Sequence, residues 1–239
     1  MKILITIGLP SKGRLKDKSI AFFNDRDLKI LQNDKERNYF ANIENKPNIK
    51  VIYLHAKEII QRLGDGTLDV GISGLDLLNE SEKSLQDKIS IKQKLNFGSA
   101  DLVVAVPDDW IDVQTIADLE EVAFDIRSKR NTRLRVATKY PNLTNNFLIS
   151  KGVTQYKLIS SLGATETYPF IGSSEIVTDI TSTGKTLQDN NLRVLKDGLI
   201  LKSAACLLVS KKKAAILQPF FLMPTKQLQT LILIHLLKL

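Results

Sequence analysis

Short apolar runs alternate with helix-like stretches from the N-terminus to about residue 209, and this alternation limits the fold more than any other feature. Runs of strand length, separated by helical patterns and Gly/Pro punctuation, lead to an α/β architecture. Residues 2–8 read as a buried strand, and Ser11 as the cap of a helix carrying Leu15, Ile20, Phe22 and Phe23. Residues 49–54 form a second strand, followed by a helix to about Leu63 that Gly64-Asp65-Gly66 breaks. Residues 68–73 are a further strand ending at Gly74, before a helix with Leu75, Leu77 and Leu78. Residues 102–106 are apolar and stop at Pro107.

A second lobe is expected over residues 95–182, after a first lobe over 1–94. In it, 135–137 and 155–160 read as strands, 140–150 as a helix and 173–178 as a short helix. Residues 183–210 are expected to return to the first lobe, with 192–201 and 204–209 as paired strands. Residues 211–239 form a tail in which Pro219 and Pro224 precede a weakly amphipathic apolar stretch at 227–237.

The richest local signal is Asp179-Ile180-Thr181-Ser182-Thr183-Gly184-Lys185-Thr186-Leu187. An acid ends an apolar run, and hydroxylated residues, a glycine and a lysine lead into a helix start. Hydroxyls, free amides and a positive helix end converge there, which suits a phosphate. Asp179 stands where a sugar hydroxyl would be held beside it, so the spacing fits a ribose 5-phosphate. Gly184-Lys185-Thr186 imitates the end of a P-loop. That motif needs a glycine at position 179, where this chain has Asp.

Two more turns follow strands, where α/β sheets bind ligands. Pro10-Ser11-Lys12-Gly13-Arg14-Leu15 places two cations at a helix N-terminus, against its dipole, which calls for a compensating anion such as a diphosphate. In Asp69-Val70-Gly71-Ile72-Ser73-Gly74, small residues leave room for a ligand near the backbone, although for this motif taken alone a tight strand-to-helix connection is the better explanation. Gly163-Ala164-Thr165-Glu166 sets a carboxylate after a bend, and Ala137-Thr138-Lys139-Tyr140-Pro141 is a basic turn before a helix. Arg37 and Tyr39 sit in a polar stretch that reads as a surface loop.

Several chemistries are excluded. His55 and His235 lack metal-ligand spacing, so no protein metal site is expected. Dinucleotide-binding glycine motifs and serine-hydrolase elbows are missing. The single Cys206, in an apolar run, reads as core packing and fits a reducing compartment. No secretory leader or membrane-length apolar run occurs, so a soluble cytoplasmic protein is expected. The net charge of +8 invites a nucleic-acid reading, but six lysines after Asp197 supply most of it, leaving about +2 for residues 1–197. A basic tail of this kind is commonly a solvated or partner-facing end, and neither nucleic acid nor membrane is expected as a partner.

Taken together and in this order, the motifs resemble the ATP phosphoribosyltransferase family. They are Leu9 to Leu15, Arg37-Asn38-Tyr39, Asp69 to Glu80, Ala137 to Pro141, Gly163 to Glu166 and Asp179 to Leu187. The resemblance runs from about residue 3 to 209. It implies a two-lobed fold like the type II periplasmic binding proteins, with a cleft between the lobes. It also implies transfer of phosphoribosyl from phosphoribosyl diphosphate to N1 of ATP, with Mg2+ bound to substrate. Carried over residue by residue, Thr181, Ser182, Thr183, Gly184, Lys185 and Thr186 would bind the 5-phosphate and Asp179 the ribose. Lys12 and Arg14 would face the diphosphate, and Gly71, Ser73, Gly74 and Glu166 would seat ATP. Arg37, His55 and Lys57 are further candidates. His55 stands where the family usually has an arginine, which weakens the charge there, and Lys57 is a substitute. Ile60 replaces a usual proline. The length resembles the short form, which implies a regulatory subunit resembling histidyl-tRNA synthetase and a homo- or hetero-oligomer. The rival from another class is a non-catalytic two-lobed binding protein for a phosphorylated metabolite; a nucleic-acid module using residues 211–239 ranks below both.

Overall fold

The structure, a computed structural model, describes residues 4–31 and 39–213. Arg37 and residues 214–239, including the apolar stretch at 227–237 and His235, lie outside them. In chain order the elements are β1 (Ile5–Pro10), α1 (Gly13–Asn24), β2 (Ile30–Leu31), β3 (Phe40–Ile43), β4 (Lys46–Leu54), α2 (Ala56–Asp65), β5 (Val70–Gly74), α3 (Leu75–Glu80), α4 (Lys83–Gln86) and β6 (Ile89–Lys94). There follow β7 (Ala100–Pro107), α5 (Ile116–Arg130), β8 (Leu134–Thr138), α6 (Pro141–Ser150), β9 (Tyr156–Ser160), β10 (Ile176–Thr181), α7 (Lys185–Gln188), β11 (Leu192–Ser203) and β12 (Ala205–Ser210). The described residues divide into two compact units, one of those up to 98 together with 204–213, the other of 99–203.

The first unit holds a seven-stranded sheet in the order β2-β3-β4-β1-β5-β12-β6. Its centre is parallel, β1 pairing with both β4 and β5. Strand alternation sorts β1 by face. Ile5, Ile7 and Leu9 pack with Ile20, Phe22 and Phe23 of α1. On the opposite face Gly8 stands beside Gly71 in the parallel register. A side chain on Gly8 would strike Leu68, and one on Gly71 would come within 2.6 Å of Ile59 Cγ2 and 3.3 Å of Leu63 Cδ1. The glycine pair is the seat of α2, which buries Ile59, Ile60 and Leu63 there. Burial of each such side chain is worth about 1.5–3 kcal/mol. Helix α2 stops at Gly66, whose φ of 82° is left-handed.

A test of this packing follows directly. Gly71→Ala has nowhere to place its methyl without moving Ile59, so it should cost about 1–3 kcal/mol. Urea unfolding should show a lower midpoint with an unchanged m-value.

The second unit holds a five-stranded sheet in the order β11-β7-β10-β8-β9. Residues 176–178, expected in a short helix, belong instead to its central strand, β10. Ile176, Val177 and Thr178 are β-branched and buried. A strand covered on both faces loses the polar alternation that would identify it. Strand β10 runs parallel to β8 and antiparallel to β7. Helix α5 packs Ile116, Leu119 and Ala123 into the core of this unit. Its start is a capping box: Thr115 Oγ1 accepts from the Asp118 amide at 3.3 Å while Asp118 Oδ2 accepts from the Thr115 amide at 2.7 Å. Hydrogen bonds from the Gln114 amide and from Thr115 hold the Asp118 carboxyl below its ordinary range.

The return to the first unit comes later than the expected residue 183. Strand β11 pairs antiparallel with β7 and stays in the second sheet. Asp197 fixes it there by accepting from the Ile116 amide at 2.8 Å, and Arg193 donates to the Val113 carbonyl at 2.6 Å. Only β12 enters the first sheet, between β5 and β6, so the expected pairing of 192–201 with 204–209 does not form.

Candidate functional site

Strand β10 carries the densest group of candidate residues. Asp179 is the fourth residue of the strand and is only 9% exposed. Its Oδ1 accepts from the Ile180 amide at 2.8 Å. Burial pushes its carboxyl above the ordinary 3.8. The Ile180 amide, the Lys139 ammonium and a hydrogen bond from Thr165 oppose that rise, while Glu166 adds to it. Asp179, Lys139, Thr165 and Glu166 therefore share one electrostatic environment, drawn from β10, the turn after β8 and the 3-10 turn Thr165–Thr167. The bend before that turn is tight, since Ala164 takes a left-handed φ of 44°. Lys139 and Thr165 are members that sequence reading did not select as site residues. Lys139 was visible only as the cation of a basic turn, and Thr165 only as the residue before Glu166.

The chain leaves β10 through the predicted phosphate turn. Thr181 Oγ1 accepts from the Gly184 amide at 2.8 Å, and Thr183 Oγ1 accepts from the Lys185 amide at 3.4 Å. Two amides expected to face an anion are thus used inside the turn. Each hydroxyl that accepts an amide keeps its own proton, so Thr181 and Thr183 retain O–H donors. Gly184 adopts a φ of 76° with nothing within 4 Å of a would-be Cβ. Ser182, Thr183, Lys185 and Thr186 are exposed, so no other side chain buries the turn. Leu187 anchors it by packing with Val103, Ala105, Val177 and Leu192.

A second set lies in the first unit, at the carboxyl ends of β1, β4 and β5. Pro10 and Leu54 are partners at the end of the parallel ladder, and the Ser11 amide donates to the Leu54 carbonyl at 2.9 Å. Lys12 follows at the N-cap of α1 and His55 at the N-cap of α2. Lys12, Arg14, His55 and Lys57 are all exposed. His55 Nδ1 accepts from the Lys57 amide at 3.3 Å, so it caps its helix. The first turn of α1 contains no acid. Among the described residues, Lys12 and Arg14 form no ion pair.

At the third turn the Cβ directions of both glycines point at protein atoms. Ile59 fills the direction of a Gly71 side chain, and the Asp76 carboxylate fills that of Gly74. Ser73 is buried and donates to the Ala56 carbonyl at 2.8 Å. The Leu75 amide donates to the Ala204 carbonyl at 3.0 Å. These small residues serve helix–sheet contact. Among the described residues no three His, Cys, Asp or Glu side chains gather as a metal site, and no helix is long and apolar enough to cross a membrane. Cys206 is buried, and burial pushes its thiol up.

Comparison with known proteins bears on the whole chain. A family model described as ATP phosphoribosyltransferase matches residues 55–231. An ATP phosphoribosyltransferase of Brucella melitensis is 46% identical over 209 residues, covering 87% of this chain and 90% of that protein. Among solved structures, the ATP phosphoribosyl transferase (HisG:HisZ) complex from Thermotoga maritima superposes with a TM-score of 0.69 at 23% identity, covering 98% of this chain and 97% of that one. A probable amino-acid ABC transporter extracellular-binding protein of Bacillus subtilis gives a TM-score of 0.51 at 13% identity, covering 90% and 88%. The fold is therefore of the type II periplasmic-binding-protein kind.

Proposed function

This chain belongs to the ATP phosphoribosyltransferase family, and we propose how its residues divide that family's reaction. The enzyme is a pentosyltransferase of histidine biosynthesis that moves phosphoribosyl from phosphoribosyl diphosphate to N1 of ATP and releases diphosphate. A non-catalytic binding protein is not favoured beside relatives named as transferases.

Breaking the C1–O bond leaves an oxocarbenium-like sugar and a highly charged leaving group. Adenine N1 already carries a lone pair, so no strong base is needed. Catalysis then rests on positioning and charge neutralisation. Asp179 holds the ribose hydroxyls and stabilises the developing positive charge of the ring. Thr181 to Thr186 bind the 5-phosphate through the outward hydroxyls, with Lys185 as counter-charge. Lys12 and Arg14 neutralise the diphosphate, and Lys57 is the cation available beside His55. Glu166 accepts from ATP, and the turn at 71–74 gives shape. Arg37 remains a candidate by resemblance alone. The observation that carries the assignment is that the buried Asp179 and the open phosphate turn belong to one strand and its exit.

Mg2+ would bind to the substrate phosphates beside Lys12 and Arg14, and would supply further charge neutralisation to the diphosphate. A regulatory subunit is proposed by likeness to the Thermotoga maritima complex, in a homo- or hetero-oligomer, and the single buried thiol suits a cytoplasmic setting.

The test is to mix the purified chain with ATP, phosphoribosyl diphosphate and Mg2+, with and without the regulatory subunit, and follow N1-phosphoribosyl-ATP by absorbance. Product is expected at least with the subunit present. No product in either mixture rejects the reading.

A further inference from the structure

Directly before Lys139 and directly before Asp179 stand two buried threonines, Thr138 and Thr178, which are partners at the end of the parallel β8/β10 ladder. A third buried hydroxyl, Thr144, comes from α6. The three form a closed ring. Thr178 Oγ1 donates to Thr138 Oγ1 at 2.6 Å, Thr138 and Thr144 are 3.1 Å apart, and Thr144 and Thr178 are 2.7 Å apart. The Tyr140 amide also donates to Thr138 Oγ1, at 2.9 Å.

Hydroxyl counting fixes the sense of the ring. Each hydroxyl has one proton and two lone pairs. Thr138 accepts from Thr178 and from the Tyr140 amide, so both its lone pairs are used and its proton goes to Thr144. The Thr144 proton then goes to Thr178. All three protons are consumed within the ring, and none remains for a ligand.

We infer that Thr138, Thr144 and Thr178 are positioning residues that hold the Lys139 turn and Asp179 in register for the ribose phosphate. Each strand residue of the ring adjoins one of two opposite charges in the same site, and Thr144 ties both strands to α6 where their shared ladder ends. An apolar core at this point would pack as well but would fix no direction. A polar ring buried among apolar neighbours is satisfied in one arrangement only. A small displacement of groups that orient a substrate costs far more in rate than in stability.

The inference rests on the assignment of Asp179 to the ribose, and the two fail differently. Thr144→Val keeps the shape and removes one hydroxyl. Its expected result is a KM for phosphoribosyl diphosphate raised about tenfold, a KM for ATP changed less than about twofold, and restoration by Thr144→Ser. Thr178→Val is the second probe should the first variant fold poorly, because Thr144 can turn its proton to the carbonyl four residues earlier in its helix. The same pattern is expected there. An unchanged KM for phosphoribosyl diphosphate, or an equal rise for both substrates, overturns the role of the ring while wild-type activity stands. A wild-type chain that makes no product removes the assignment of Asp179 itself.

Discussion

Asp179→Asn is expected to lower kcat/KM for phosphoribosyl diphosphate by about ten- to a hundredfold while leaving the fold as stable as before or more so. The loss follows from charge. A carboxylate that accepts from ribose hydroxyls and faces a positive sugar ring contributes about 1.5–3 kcal/mol more than an amide can. The gain in stability follows from burial. Asp179 is 9% exposed, and burial is the largest influence on its carboxyl, raising it above 3.8. The folded chain therefore binds this proton more tightly than the unfolded chain does. The associated stability is fully present below the ordinary carboxylate value and is lost as pH rises through the folded value. At neutral pH the ionised group costs stability, and asparagine removes that cost. Its amide oxygen still accepts from the Ile180 amide.

Two measurements settle this. Steady-state kinetics should show the fall in kcat/KM. Thermal unfolding between about pH 3 and pH 7 should show the wild type losing stability relative to the asparagine variant as pH rises. Wild-type turnover in the variant would remove Asp179 from the chemistry. A markedly lower melting temperature would mean the carboxylate is a structural partner, with Lys139 left uncompensated by its loss.

The alternation of strands and helices made the α/β class legible, because β1, β5 and β8 are apolar runs closed by Pro10, Gly74 and Thr138, and β4 is one that ends at Leu54 before a helix. The same logic failed at residues 176–178, where burial on both faces erased the period and left no mark to separate strand from helix. Helix α5 went unread although Thr115-Ile116-Ala117-Asp118 is a capping-box pattern; the signal was present and short-range. The late return at β12 was not legible, since pairing of β11 with β7 depends on contacts such as Asp197 to Ile116, far apart in sequence. In the candidate site, the hydroxyl-rich turn at 181–186 and Asp179 were marked in the sequence by local chemistry. Lys139 and Thr165 were not, because only the parallel pairing of β8 with β10 and the tight bend at Ala164 bring them to Asp179. Gly71 carries a signal of another kind: a glycine within a strand marks a close approach, and only the fold shows that Ile59 is one of the approaching groups.

Removing both cations of the first turn should impair chemistry while sparing the fold. Lys12 and Arg14 are exposed, and among the described residues neither has an ion-pair partner. They stand at the positive end of the twelve-residue helix α1, whose first turn has no acid to balance them. In the free protein they oppose the helix dipole, so Lys12→Ala with Arg14→Ala should leave the stability unchanged or raise it slightly, by about 0.3–1 kcal/mol per charge. Bound to a diphosphate the balance reverses. Negative charge on the leaving group grows as the C1–O bond breaks, so these cations bind the transition state more strongly than the substrate. Each is expected to contribute about tenfold or more and the pair about a hundredfold, falling chiefly on kcat. Raised Mg2+ should recover part of the loss, because a cation on the phosphates supplies the same neutralisation. Initial rates with phosphoribosyl diphosphate and Mg2+ varied separately would test this. A double variant that raised KM alone, with kcat intact, would make the two side chains substrate tethers and take the leaving-group role away from them.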